Sequence, residues 1–146
     1  MKYINIIFLS YLLVCCSCNE NPSNKLNPDC ININTKGTEY LTNYQNGDTL
    51  ALDKAIYFYE KAIKCDSTYL LGYRNLALAY DYKKSYKEEL NVFQKVSYLT
   101  NNAPAILVEK AIVFEKLGLT GSANYTYKAA QSNLKLILLK TLKIQI

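Results

Sequence analysis

The chain of 146 residues contains no histidine and no tryptophan, and only five glycines and three prolines. Without histidine the commonest general base is missing. So are the Ser-His-Asp and Cys-His arrangements and most catalytic zinc sites. The sequence also lacks a G-x-x-x-x-G-K-[ST] or G-x-G-x-x-G loop, an H-E-x-x-H helix, and any C-x-x-C pair outside an N-terminal cysteine cluster. These absences remove the usual phosphate-cradling, metallopeptidase and thiol-redox chemistries. An enzyme, a bound cofactor and a metal are not expected. The 17 basic and 12 acidic residues are scattered, with no more than two of a kind in a row, whereas a nucleic-acid footprint needs basic residues and stacking aromatics gathered on one face. No nucleic-acid partner is expected.

Half of the residues are apolar and 20% are charged, a balance that favours a folded domain over disorder. The length allows one domain of ordinary size.

At the N-terminus, Lys2 precedes the apolar run Ile4 to Val14, which falls short of the roughly 20 residues needed to span a bilayer. It suits the h-region of a targeting segment over residues 1–15. Leu12-Leu13-Val14-Cys15-Cys16-Ser17-Cys18 follows. This segment resembles the lipobox of bacterial lipoproteins, in which a Leu and two small residues precede a cysteine that is acylated. The resemblance implies acylation of Cys16, three residues after Leu13, with Cys18 as the alternative because the small Ser17 precedes it. It further implies a chain anchored to a membrane of the bacterial envelope, outer membrane or periplasmic face, since several acyl chains together give stable attachment. An ordinary secretory signal with incidental cysteines is the plainer reading. Residues 16–34 are Asn-rich, carry Pro22 and Pro28, and read as a flexible tether. Cys30 and Cys65 could pair in an oxidising compartment; equally, Cys65 could be a small packed residue and Cys30 a free thiol.

Beyond the tether the sequence repeats. Ala55, Glu89 and Ala123 lie 34 residues apart, as do Tyr59, Phe93 and Tyr127, and Ala62, Val96 and Ala130. Tyr80 matches Phe114, and Ala77 matches Ala111. Self-similarity at this period, with small and aromatic marks, resembles the tetratricopeptide repeat (TPR) family. The resemblance covers about residues 35–135, in units of about 35–67, 68–101 and 102–135. It implies an all-α fold: an α-solenoid of about three helix-turn-helix units, closed by a short C-terminal capping segment over residues 136–146. The middle unit is the best formed, with Tyr73, Leu76, Ala77 and Tyr80 in its first helix. Glu89 departs from the pattern, standing where a small residue is usual, and implies a helix set slightly off or a side chain turned outward. The first unit is thin. Its leading helix, Lys36 to Asn46, has only Tyr40, Leu41 and Tyr44 as large apolar residues.

Projected at 100° per residue, the middle first helix shows a second face of Leu71, Arg74, Leu78, Asp81 and Tyr82, about 130° from Tyr73. In the family this face lines a concave peptide-binding groove. The corresponding residues of the third unit are Ala105, Val108, Ile112, Glu115 and Lys116, and Tyr40 and Tyr44 could extend the groove in the first. The expected site therefore has an apolar floor of Leu71, Leu78, Val108 and Ile112 with charges at its lip, suited to an extended peptide or an amphipathic helix. The plainer reading is that Leu78 and Ile112 face a neighbouring helix. Of the carboxylate-clamp residues known in one family variant, only Asn75 is present, and no clamp is expected.

From Leu134 to Ile146 eight of thirteen residues are apolar, and Lys135, Lys140 and Lys143 share an arc with Leu136 and Leu139. The segment reads as a crude cap, or as an apolar end that dimerises, meets a partner or touches a membrane surface. The function these readings imply is a membrane-anchored adaptor or assembly module that binds a protein or peptide. The alternatives are a subunit or fragment of a larger scaffold joined through its apolar C-terminus, or a substrate-binding accessory of an uptake system.

Overall fold

A computed structural model describes residues 26–144, and the calls on Cys16, Cys18 and the targeting segment lie outside them. The fold is all-α. Among the described residues there are six helices: α1 (Pro28–Gln45), α2 (Ala51–Cys65), α3 (Leu70–Tyr82), α4 (Tyr86–Leu99), α5 (Pro104–Lys116) and α6 (Thr120–Ile144). Each packs against the next, and α1 also touches α3, so three antiparallel hairpins stack in chain order as a solenoid-like array.

The 34-residue marks sit where the helices meet. Ala55, Ala62, Ala77, Ala111, Ala123 and Ala130 are all buried, and Tyr59, Phe93 and Val96 are buried beside them. Small residues let the backbones approach, and the aromatics fill what remains. The turns repeat as well. Ser85 N–H donates to Tyr80 O and Leu119 N–H to Phe114 O, at 2.9 and 2.8 Å, and between them Lys84 and Gly118 hold φ of 59° and 74°. That left-handed residue closes a helix by satisfying its last carbonyls. Gly118 adopts it freely, and Lys84 does so against a Cβ penalty.

Three expectations are corrected. Helix α1 starts at Pro28, so residues 28–34 are not tether. Asn27 accepts from Asp29 N–H at 3.0 Å and caps the helix, and Pro28 stands at its first turn, where a missing N–H costs nothing. Cys30 and Asn34 are buried. Cys30 is joined to Cys65 by a disulfide with Cα atoms 5.5 Å apart, and Asn34 Oδ1 accepts from Asn75 Nδ2 at 3.0 Å. The second correction concerns residues 136–146. Through Ile144 they continue α6 rather than forming a separate cap, because no glycine or proline interrupts the chain after Gly121. Third, Glu89 points inward and is only 4% exposed.

The thin leading helix is thus held by means other than a broad apolar face. Tyr59, fully buried on α2, lies flat over Gly37, where an added Cβ would stand 2.7 Å from the ring. Only glycine admits this approach. The disulfide fixes the N-terminal end of α1, and Leu41, about three turns further along, joins the core.

Candidate functional site

Helices α3 and α5, the first helices of successive hairpins, face each other across a groove of about 370 Å³. Leu71, Leu78 and Ile112 line it and remain 41–51% exposed. Ala77 and Phe93, both buried, form its floor. Two charge pairs cross it from helix to helix. Arg74 Nη2 lies 3.5 Å from Glu109 Oε1, and Lys116 Nζ donates to Asp81 Oδ1 at 2.6 Å. Partners in both pairs are 35 residues apart, so the repeat itself sets the register of the two bridges. Seven residues separate the bridges along each helix, roughly 10 Å of rise. Between them lies an apolar pit.

Lys116 is the centre of the charged end. Besides Asp81 it donates to both carboxylate oxygens of Glu89, at 3.2 and 3.4 Å, and it sits 5.5 Å from the centre of the Tyr86 ring. Glu89 therefore replaces a small packing residue with a buried anion matched to a cation on the next hairpin. Burial, followed by the nearby Asp81 charge, raises the Glu89 carboxyl above its ordinary value, and Lys116 only partly offsets this. Burial pulls Lys116 down, but hydrogen bonds to Asp81 and Glu89 outweigh it and leave the ammonium above its usual range. The charged form of Lys116 is what the site is built around. At the other end, Glu109 Oε2 is shielded from solvent and has no hydrogen-bond partner among the described residues.

The structure brings together Leu71, Arg74, Leu78, Asp81 and Ile112 from the expected set, and Lys116 with them. The remaining residues lie elsewhere. Val108 lines a neighbouring hollow between α5 and α6 with Ala105, Tyr127 and Leu134; it lies about 100° round the helix from Glu109, on the far side of Ile112. Glu115 raises the Tyr127 hydroxyl by its charge and hydrogen bond, after burial, and so belongs to the α6 side. Tyr40 stacks on Phe58 of α2 with ring centres 5.4 Å apart, and Tyr44 meets Tyr82 edge to face at 5.7 Å. Tyr40 thus packs the two helices of the first hairpin together, and Tyr44 packs that hairpin onto the second, instead of extending the groove. Tyr82 is further tied by its hydroxyl, which accepts from Gln45 Nε2 at 2.7 Å.

Sequence projection missed Glu109, Glu89 and Phe93 as groove residues. Phe93 and Glu89 come from α4, a second helix that the one-helix projection did not include. Glu109 could have been found from its separation of 35 from Arg74, with opposite charge. Asn75, the one clamp-like residue, is engaged with Asn34. Among the described residues no three His, Cys, Asp or Glu side chains gather as a metal site. No protein-family model matches the chain, and no curated protein matches it significantly.

Proposed function

We propose that this chain is a tetratricopeptide-type interaction module of a bacterial envelope, held at a membrane by an acylated N-terminal cysteine, and that its α3–α5 groove binds a protein partner. The observation that carries the reading is the pit itself. Three large aliphatic side chains stay about half exposed at a site enclosed by cross-helix charge pairs and floored by the core. Apolar surface kept at a concave, rigid place is what peptide and helix recognition uses. The pit has room for one or two large side chains, so the partner presents an apolar anchor there.

The test is in-cell crosslinking and affinity capture from envelope fractions with the native chain, Arg74→Glu and Leu78→Asp. Binding in the groove predicts that a specific partner is captured by the native chain and lost with either variant. Recovery of the same proteins from all three forms rejects it. Fatty-acid labelling of the native chain, Cys16→Ser and Cys18→Ser tests the anchor separately, and an unlabelled native chain removes it.

A further inference from the structure

Among the described residues, the second half of α6 is a large apolar surface outside the groove and only edged by the array: Leu134 borders the hollow with Ala105 and Val108, and Leu136 and Ile137 border one with residues 100–104. Asn133 is the last residue with a bond back to the array, donating from Nδ2 to Asn102 O at 3.0 Å. From Leu134 onward, Leu134, Leu136, Ile137, Leu138, Leu139 and Leu142 are 48–60% exposed. At 100° per residue these six are spread around the helix rather than along one stripe: Ile137, Leu138, Leu139 and Leu136 point in four different directions. A protein partner lying on one side would leave several of them in water.

The charge is equally one-sided. No Asp or Glu occurs after Glu115. Helix α6 carries four lysines, Lys128, Lys135, Lys140 and Lys143, and no carboxylate, whereas the residues up to Glu115 carry equal numbers of acidic and basic side chains. Lys135 and Lys140 pair with no carboxylate among the described residues. Two copies of this segment laid together would set like charges side by side, which disfavours a second copy as the occupant.

We infer that the end of α6, from Leu134, seats in the surface of an anionic lipid leaflet. A lipid boundary covers leucines on every side of a helix at once, while lysine stems lie along apolar surface and place their ammonium groups among anionic headgroups. The projecting part, from Leu134 to Ile144, is about 16 Å long. That is enough to reach the headgroup and acyl boundary. No described helix is long and apolar enough to cross a membrane. This contact is independent of the N-terminal cysteine and of the groove.

The chain has no tryptophan, so Leu138→Trp in the full chain places a single reporter on the segment that an N-terminal anchor does not move. The probes are vesicles of phosphatidylcholine alone and of phosphatidylcholine with phosphatidylglycerol, each with bromine-labelled acyl chains. Seating predicts a blue shift and quenching with the anionic vesicles only, weakened by salt. Adding Lys135→Gln or Lys140→Gln should lower the affinity about fivefold each, and Leu142→Asp should abolish the quenching. Leu50→Trp, on the α1–α2 turn, should stay unquenched as the control. Equal quenching in neutral and anionic vesicles overturns the proposal, as does none in either. A blue shift without lipid that grows with protein concentration overturns it in favour of a second copy.

Discussion

Glu89 shows how one residue can break a repeat pattern and still be explained by the next hairpin. The sequence marks it as the wrong size for its place. Only the position of Lys116, 27 residues on and on another helix, shows that it is paired. Removing one partner of a buried pair leaves the other uncompensated, so Lys116→Met should cost about 2–3 kcal/mol in urea unfolding. Glu89→Ala with Lys116→Met should cost less than Lys116→Met alone, and a double variant at least as unstable as the single would contradict the pairing. The Glu89 carboxyl is raised by burial, so the folded state holds that proton more tightly than the unfolded one. Its contribution to stability is therefore fullest below the ordinary value of 4.5 and declines as pH rises through the raised value. Lys116→Met, which removes the offsetting cation, should make this decline steeper, and Glu89→Gln should remove it. Tyr80 acts at the other end of the scale. Burial and then the hydrogen bond to Glu60 push its hydroxyl up to about 12 from 10.0. The stability it contributes is full below pH 10.0 and is lost as pH rises towards about 12. Unfolding midpoints of the native chain and Tyr80→Phe should therefore converge or cross in that window, and parallel pH profiles would show that Tyr80 is not the group.

At the scale of elements, the five helices from α2 to α6 were legible because their packing residues recur every 34 positions and their apolar spacing is helical. The start of α1 was not. Residues 28–34 offer Asp29, Asn32 and Asn34 and no apolar period, and they are helical because the cap, the disulfide and the buried Asn34–Asn75 bond hold them. Contacts between residues 35 and 41 positions apart leave no local trace. The disulfide closes a loop of 35 residues, worth about 3–4 kcal/mol by constraint of the unfolded chain. Cys30→Ser with Cys65→Ser should lower stability by about that amount, with the earliest loss of amide protection in α1. Uniform loss across all helices would argue that α1 is not the element the bridge secures. Gly37→Ala sets a Cβ against the Tyr59 ring, and overpacking of this kind should cost about 1–3 kcal/mol in the same unfolding assay. A neutral result would mean the α1–α2 contact can spread without penalty.

The groove, at the scale of the whole molecule, was half legible. Projection of α3 alone found Leu71, Arg74, Leu78 and Asp81, because a helix face follows from spacing. The repeat correspondence added Ile112 and Lys116 of α5, but it could not find which other residues of α4 and α5 oppose that face, since this depends on how far successive hairpins turn. Val108 was misplaced for that reason, and Glu109 and Phe93 were left out. Tyr40 and Tyr44 were misplaced because large exposed-looking aromatics on a thin helix are more useful as packing than as a binding surface. The molecule that results has a rigid, charge-braced pit on one side and a cationic, apolar helix end projecting from another. The central claim is that the pit holds a partner's apolar anchor. The most direct measurement places a photo-crosslinking side chain at Leu78, inside the pit, and separately at Tyr57, which is 58% exposed on α2 and does not line it, in the envelope of living cells. The account predicts one discrete adduct from position 78, absent when Arg74→Glu is added, and none from position 57. Identical adducts from both positions, or no adduct from position 78, would contradict it.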